Sequence, residues 1–142
     1  MSPRWELDLD VQRGRSVVHN LHVHLVFTTK YRRAVFTDAL LSTCEVAMRG
    51  VCTNFGATLT EFNGEGNHVH LLIQYPPTVQ LSRLVNSLKG VSSRVLRRDH
   101  PVEVRRMLWG EHFWSPSYFA GSCGGAPLSV VADYIENQKR PG

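Results

Sequence analysis

The run SVVHNLHVHLVFTT, residues 16–29, constrains the fold more than any other part of the chain. Its side chains alternate with a period of two and several are β-branched, which is typical of a strand with one face on a hydrophobic core. The more apolar face, which we expect to meet the core, consists of Val17, His19, Leu21, Val23, Leu25 and Phe27. The other face carries Asn20, His22, His24 and Val26.

A helix and a hairpin are predicted after this strand. Thr37 is a favourable N-cap for an amphipathic helix that runs to about Phe55. Residues 57–63 and 67–75 form two strand-like runs, with the hairpin signal GEG between them at residues 64–66. The apolar side of the helix is expected to consist of Leu40, Leu41, Cys44, Val46, Ala47, Met48 and Val51.

The second half of the chain is predicted to contain two helices with a strand region between them. Thr78 is expected to cap a helix that runs to about Arg98. A short helical turn is predicted for residues 101–108, and one or two strands for residues 113–123. Pro127 suits the first position of a final helix with the sequence PLSVVADYIENQK.

The predicted order of elements is β-α-β-β-α-β-α. All but the last match the ferredoxin-like split βαβ pattern, and the last is an extra C-terminal helix. We therefore predict an α+β fold, ferredoxin-like (RRM-like), whose antiparallel sheet has two helices on one face and leaves the other face available for a ligand. We expect residues 1–142 to form a single domain, with residues 1–15 as a flexible arm.

The composition is that of a globular protein. Hydrophobic residues make up 42% and charged residues 20% of the 142 residues, and no apolar run approaches the roughly 20 residues that cross a bilayer. The net charge of +4 is compatible with a polyanionic partner but does not establish one. Cys44, Cys52 and Cys123 form no C-x-x-C pair, so we expect free thiols in a reduced, cytoplasmic protein without membrane contact.

The sharpest local motif is His68-Val69-His70, in the second strand of the hairpin. Residues i and i+2 of a strand point to the same face, so both imidazoles would project about 7 Å apart. Two neutral imidazoles can hold a divalent cation if a third ligand, usually an oxygen, completes the site. The pattern also arises by chance on half-exposed strands, and His22-Val23-His24 repeats it in the first strand, where we expect exposed histidines.

Tyr134 and Gln138 are four residues apart in the final helix, so they are expected to share one of its faces. Tyrosine can act as a nucleophile, and the side-chain oxygen of glutamine can bind a metal ion. On the residues alone, a simpler interpretation is favoured, in which Leu128, Val131 and Ile135 lie in the core and Tyr134 lies at the edge of an amphipathic helix.

Basic residues cluster after the first strand and again on and beyond the second helix. Together with neighbouring aromatic residues, they could contact phosphates and stack on bases. A solvated helix face explains most of the second cluster equally well. The aromatic run at residues 109–119 is more often part of a core than a stacking platform.

Read together, five collinear blocks resemble the single-tyrosine transposases of the HUH endonuclease superfamily, which are small enzymes of bacterial insertion sequences. LHVHLVFTTKYRRAVF resembles their first strand and basic loop, GNHVHLLI the HUH strand, and LKGVSSRVLRR the second helix. LWGEHFWSPSYFAGSCGGAPLSVVADYIENQ resembles the last strand and the tyrosine helix, which count as two blocks. The likeness extends from about His19 to Gln138 and includes the REP-associated relatives.

The resemblance implies a role for each matching residue. His68 and His70 would bind a divalent metal ion, Mg²⁺ or Mn²⁺, with Gln138 as the third ligand and Tyr134 as the nucleophile. Asn67 stands where many members carry an acidic residue. The first choices for phosphate contacts are Lys30, Arg32 and Arg33, followed by Lys89 and Arg94.

The implied activity is cleavage and rejoining of single-stranded DNA at hairpin-marked element ends through a 5′-phosphotyrosine. The resemblance also implies a homodimer, in which the tyrosine helix of one subunit can complete the site of the other. Two alternatives stay open at this point. One is a domesticated nuclease that processes palindromes of the host chromosome, and the other is a module that binds hairpin nucleic acid without cutting it.

Overall fold

The computed structural model describes residues 12–13, 18–110, 112–124 and 126–141. Within these ranges the strands are β1 (Gln12–Arg13), β2 (Val18–His19), β3 (His22–Thr29), β4 (Thr58–Glu65), β5 (His68–Gln74) and β6 (Trp114–Cys123). The helices are α1 (Asp38–Asn54), α2 (Leu81–Asp99), α3 (Pro101–Met107) and α4 (Ala126–Glu136). Most of the predicted arm at residues 1–15 lies outside the described residues, and the part that is described, β1, pairs with β2.

The main sheet of the described chain has four antiparallel strands in the order β4-β5-β3-β6. Its two central strands are the first and third along the chain, which is the arrangement of the ferredoxin-like split βαβ fold. Helices α1 and α2 cover one face of the sheet, and α4 lies against the other. The predicted α+β fold, with two helices on one face and an extra C-terminal helix, is confirmed.

Strand β3 supplies the centre of the core. Val23, Leu25 and Phe27 point to the face covered by α1 and α2 and are at most 2% exposed, as the alternation predicts. The strand is shorter than the predicted run of residues 16–29, because its ladder with β5 begins at His22. Strand β2 precedes it and pairs with β1 instead.

Helix α1 begins where its cap predicts. The Thr37 side-chain oxygen accepts a hydrogen bond from the Leu40 N–H at 3.3 Å, which satisfies one of the donors that a first helical turn leaves unpaired. Val46, predicted on the buried stripe, is 73% exposed, because it lies about 200° around the helix from Cys44. The buried residues of α1 are Leu40, Leu41, Cys44, Met48, Val51 and Cys52.

The hairpin between β4 and β5 turns at residues 66–67, slightly later than the predicted turn. Gly64 lies inside β4, opposite Val69 of β5. A Cβ atom on Gly64 would lie 2.5 Å from the backbone oxygen of His68, so the close approach of the two strands requires glycine. Gly64, which the sequence pattern assigned to the turn, is therefore required by the packing of two strands.

Helix α2 begins later than predicted. Its N-cap is Gln80, so the prediction that Thr78 caps it is wrong. The physical reason is that Val79 packs against the core, and its N–H donates to the Pro76 oxygen at 3.1 Å in a turn that precedes the helix. The buried residues of α2 are Leu84, Val85, Leu88, Ser92 and Leu96.

The aromatic run near β6 divides between core and surface. Phe113 and Trp114 are buried, in agreement with the prediction of core residues. Trp109 is 69% exposed and Phe119 54% exposed, because they lie outside the part of the run that faces α1 and α2. Residues 114–123 form one strand.

Helix α4 covers part of the second face of the sheet. Leu128 and Ile135 pack against Leu72 of β5 in a small cluster separate from the main core. Leu72 lies opposite His24 and two residues after His70, so all three share this face. Helix α4 therefore lies beside the histidines that the sequence singles out.

No helix among the described residues is long and apolar enough to cross a membrane. Cys44, Cys52 and Cys123 are free thiols, as predicted. Burial raises the pKa of Cys52 to about 11, so this thiol stays protonated at neutral pH.

Candidate functional site

His68 and His70 project from β5 onto the face that α1 and α2 leave open. Their ring centroids are 5.0 Å apart and the ring planes cross at 85°. This juxtaposition follows from the period of a strand, in which residues two apart point the same way. The two imidazoles are close enough to share one ion between them.

His70 is a buried, neutral imidazole. It is 5% exposed, and burial, together with the nearby His68 and His24, lowers its pKa to about 4. A neutral imidazole keeps a lone pair on one ring nitrogen, which is the form that binds metal ions. His70 is therefore in the charge state that metal ligation needs at neutral pH.

His68 is oriented by its neighbour Asn67. Its Nδ1 lies 2.7 Å from the Asn67 side-chain oxygen, and since a carbonyl oxygen only accepts, the hydrogen is on Nδ1. In the neutral ring the lone pair is then on Nε2, which lies 3.9 Å from a carboxylate oxygen of Glu65. Nε2 is therefore the atom of His68 that could ligate a metal ion.

His24 lies in the same cluster. Its Nε2 is 3.0 Å from Nδ1 of His70, and the two rings stack with centroids 5.2 Å apart. The prediction of exposed histidines in β3 is therefore wrong: His22 is 3% exposed, and His24 is half-buried with a pKa lowered by burial. The reason is tertiary, because this end of the strand lies near α4, and Leu128 and Ala132 line a common pocket with His22.

Tyr134 projects from α4 over the histidines of its own chain. Its ring centroid is 5.3 Å from that of His70, edge to face, and 6.5 Å from that of His24. The side chain is 54% exposed, so a large substrate could reach it from solvent. The interpretation of Tyr134 as an edge residue of an amphipathic helix is correct for its packing, and the same position places it against the histidine pair.

Gln138 lies beyond α4, which ends at Glu136, so the prediction that it shares a helix face with Tyr134 is wrong. A turn replaces the last helical residues because Asn63 of β4 donates to the backbone oxygens of Glu136 and Gln138 at 3.2 and 3.0 Å. Asn63 is directly opposite His70 in the β4–β5 ladder. The backbone of Gln138 is thus held by Asn63, while its side-chain amide donates to the backbone oxygen of Tyr134 at 3.4 Å.

The donors present here fit a divalent metal ion whose third ligand is an amide oxygen and not a carboxylate. Within the described ranges, no group of three His, Cys, Asp or Glu side chains is placed to hold a metal ion. The imidazoles of His68 and His70 and the side-chain oxygen of Gln138 would supply nitrogen and oxygen donors of the kind that suits Mn²⁺ or Mg²⁺. His68, His70 and Gln138 are therefore the residues that could hold such an ion.

The basic turn at residues 30–33 lies next to this site. The strand before it ends at Thr29, whose N–H donates to the backbone oxygen of Asn67 at 2.9 Å. Tyr31 is 76% exposed, and its φ of 59° is unusual for a residue other than glycine. The guanidinium of Arg33 lies 4.3 Å from the ring centre of Trp109. Cations and exposed aromatic rings therefore alternate on this surface.

Comparison with known proteins decides the family. Residues 17–138 match the family model described as "Transposase IS200 like". The chain belongs to the IS200-like transposase family. It is 29% identical to the ISDra2 transposase TnpA of Deinococcus radiodurans over 132 residues, which are 93% of this chain and 94% of that protein. It is 27% identical to the IS200 transposase of Salmonella typhimurium over 127 residues, 87% and 82% of the two chains.

Solved structures agree with this assignment. A crystal structure described as a transposase from Deinococcus radiodurans R1 has a TM-score of 0.73 and 30% identity, and the match covers 92% of this chain and 99% of that one. A REP-associated tyrosine transposase bound to a REP hairpin has a TM-score of 0.63 at 12% identity, covering 87% and 69%, which shows a common fold. The resemblance to single-tyrosine transposases is confirmed.

In this transposase, Lys89 and Arg94 lie on the helical side of the sheet, away from the histidines. The Lys89 ammonium donates to the backbone oxygen of Ser115 at 2.8 Å and lies beside the rings of Phe27 and Tyr118, and burial lowers its pKa. Arg94 is exposed on α2. Their predicted role as DNA contacts stays a prediction, and Lys89 has a structural contact in addition.

Three residues of the transposase site escaped sequence reasoning: His24, Asn63 and Arg140. The sequence contained one signal for His24, the second H-x-H pattern. That pattern lies far along the chain from the histidine pair in β5, so the sequence did not connect the two. Arg140 donates to the Asn63 side-chain oxygen at 2.7 Å and to Glu45 at 3.1 Å, so it fastens the segment after α4. No local pattern marks Asn63 or Arg140, because their partners come from distant segments.

Proposed function

We propose that this transposase cleaves and rejoins single-stranded DNA at hairpin-marked element ends through a 5′-phosphotyrosine intermediate. The observation that carries the proposal is the position of the exposed Tyr134 ring, 5.3 Å from the ring of the buried ligand candidate His70. A tyrosine nucleophile beside two imidazoles that could hold a metal ion suits metal-assisted phosphoryl transfer. A protein that only binds DNA would need no such combination.

His68, His70 and the side-chain oxygen of Gln138 would hold the divalent ion, Mn²⁺ or Mg²⁺. When bound, such an ion polarises a phosphate and offsets the negative charge that develops in the transition state. The chain's own contribution is to bury His70, which lowers its pKa to about 4, and to hold the backbone of Gln138 through Asn63. These features support the donor set that the family resemblance implies.

The proposed reaction is an exchange of phosphodiester bonds. The Tyr134 side-chain oxygen attacks phosphorus and loses its proton to solvent. The bond from phosphorus to the 3′ oxygen breaks, and that oxygen takes a proton from solvent and leaves as a 3′-hydroxyl. The new bond joins tyrosine to the 5′-phosphate of the downstream strand. A second 3′-hydroxyl can reverse the step, so rejoining requires no ATP.

The surface next to the histidines supports a single-stranded, hairpin-marked substrate. Lys30, Arg32 and Arg33 form the basic turn that adjoins the His68 end of β5, and counter-ion release at such residues favours binding of phosphates. The exposed ring of Tyr31 is suited to stacking on an unpaired base. A related fold is known with a bound REP hairpin. The sequence pI of about 9.3 agrees with a nucleic-acid partner.

We further propose that the transposase acts as a homodimer. Strand β6 lies at an edge of the main sheet in the described chain, and most of its residues are exposed. A long exposed edge strand favours pairing with another strand. Light scattering coupled to size-exclusion chromatography should therefore give twice the monomer mass of 16.0 kDa, and a monomer at micromolar concentration would contradict this part of the proposal.

The decisive experiment is an adduct assay with single-stranded DNA that carries the palindromes flanking the gene. In Mn²⁺, the wild type should form a covalent protein–DNA adduct on a denaturing gel, and EDTA should abolish it. Tyr134→Phe should form none. Tyr118→Phe is the matched control, because it removes a hydroxyl from another exposed tyrosine, and it should retain the adduct.

Each other outcome has a definite meaning. An adduct that survives in Tyr134→Phe would refute the assignment of the nucleophile. A shifted hairpin on a native gel without any adduct would refute the enzymatic proposal and favour a binding module. Adduct formation only with palindromes scattered in the host chromosome would favour a domesticated nuclease.

A further inference from the structure

We infer that His24 is a positioning residue that accepts the Nδ1 hydrogen of His70 and thereby turns the Nε2 lone pair of His70 towards the metal ion. The inference rests on the proposed function, because it assumes that His68 and His70 bind that ion. It adds a third histidine to the site, on a different strand, in a role that touches neither metal nor substrate. A ligating histidine generally donates its other ring N–H to an acceptor that fixes its orientation.

The hydrogen bond between His24 and His70 is compatible with two positions of its hydrogen. The His24 Nε2 and the His70 Nδ1 are 3.0 Å apart, so a single hydrogen lies between them. If His70 donates, its lone pair is on Nε2. If His24 donates, the His70 Nδ1 is occupied as an acceptor and its hydrogen is on Nε2, so neither of its nitrogens can ligate a metal.

The hydrogen bond of His68, the neighbouring ligand candidate, indicates that His70 is the donor to His24. Asn67 accepts from Nδ1 of His68 at 2.7 Å, and this contact has only one direction. If His24 accepts from His70 in the same way, both histidines of the pair present Nε2. Because residues two apart on a strand point to the same face, matching nitrogens are the ones that can meet a common ion.

Neighbouring side chains restrict the orientation of the His24 ring. The ring stacks on His70 with 23° between the planes, and Phe119 meets it edge to face at 5.5 Å. Opposite His24 in the ladder with β6 is Gly121, where a Cβ atom would lie 2.8 Å from the Phe119 ring. The absence of a side chain at Gly121 therefore lets Phe119 reach over and confine His24.

The first test is made on the wild-type protein without metal. Long-range ¹H–¹⁵N NMR correlation separates protonated from unprotonated ring nitrogens of each histidine, after assignment by single substitutions. We expect Nδ1–H and a bare Nε2 for both His68 and His70. A His70 ring with its hydrogen on Nε2 in the wild-type protein would overturn the inference.

The second test measures Mn²⁺ affinity by calorimetry and not by activity. His24→Phe keeps a ring without an acceptor, and it should weaken Mn²⁺ binding about 10–100-fold, as is typical when a partner of a ligating histidine is lost. His24→Gln places an amide oxygen near the former Nε2 and should bind within about threefold of wild type. His100→Phe is the control, since His100 contacts Thr43 and Glu103 outside the site, and it should leave affinity unchanged.

The outcomes separate this inference from the proposed function. Equal Mn²⁺ affinity in His24→Phe and wild type would overturn it, as would a loss in His24→Gln as large as in His24→Phe, because packing alone would then explain the effect. A wild type that binds no Mn²⁺ would also overturn it. If the affinities behave as expected but no DNA adduct forms, the proposed function fails while the role of His24 stands.

Discussion

Replacing Arg140 with alanine should release the segment that follows α4 and leave the sheet intact. The Arg140 guanidinium donates to Asn63 at 2.7 Å, to Glu45 at 3.1 Å and to Asp38 at 3.3 Å. It thus joins this segment to β4 and to α1, while 26% of its side chain is exposed. Because the same segment contains Gln138, its release would disturb the third ligand candidate.

The magnitude follows from the burial of each contact. A hydrogen bond that involves a charged group contributes about 1.5–3 kcal/mol, and the bond to Asn63, which is 9% exposed, belongs to this class. The pairs with Glu45 and Asp38 are partly solvated, and such pairs contribute about 0–1 kcal/mol each. With the two solvated pairs at the low end of their range, a total loss of about 2–3 kcal/mol would raise the population of the open segment about 30–150-fold.

Amide hydrogen exchange measures this population, because local opening exposes individual amides. The N–H groups of Asn137 and Gln138 donate to backbone oxygens of α4, and both should exchange about 30–150-fold faster in Arg140→Ala. The amide of Leu71 in the central strand β5 should keep its wild-type rate. Arg98→Ala is the matched control, since Arg98 pairs with its neighbour on an exposed surface and should change no rate more than about twofold.

Two results would refute this reasoning. Exchange at Asn137 and Gln138 within about threefold of wild type would show that the Arg140 contacts do not hold the segment. An equal acceleration at Leu71 would show that Arg140 stabilises the whole fold and not one segment.

Three further predictions can be checked separately. Gly64→Ala should lower the free energy of unfolding, measured in urea, by about 1–3 kcal/mol, since its Cβ would lie 2.5 Å from a backbone oxygen. Gly90→Ala, whose Cβ would have nothing within 4 Å, should raise the free energy of unfolding by about 0.5–1 kcal/mol. Equal effects of the two substitutions would contradict the packing argument. Asn67→Asp should strengthen Mn²⁺ binding about 3–10-fold by calorimetry, because a carboxylate accepts an imidazole N–H more strongly than an amide does, and unchanged affinity would argue against this contact. Lys30→Ala and Arg33→Ala should each reduce the slope of log affinity against log salt for single-stranded DNA by about 0.7 in anisotropy titrations, and an unchanged slope would remove that residue from the interface.

Local sequence patterns predicted the elements well wherever neighbours along the chain determine the structure. The alternation in β3 identified Val23, Leu25 and Phe27 as core residues, and the cap of α1 was recognised at Thr37. The same reasoning failed at Thr78, where the packing of the adjacent valine against the core delays the helix. Boundaries of this kind depend on contacts with distant segments, which a local pattern does not contain.

The sequence by itself determined the fold class and the family, and it identified His68 and His70 as two candidate metal ligands on one face of a strand. It could do so because strand periodicity and collinear motifs are local properties. Tertiary structure alone decided which groups surround that pair. It placed His24 at 3.0 Å from His70, buried His22, and ended α4 before Gln138. The physical reason is that hydrogen-bond direction, burial and pKa depend on distances between strands and helices that are remote in sequence, and only packing of the sheet against α4 determines those distances.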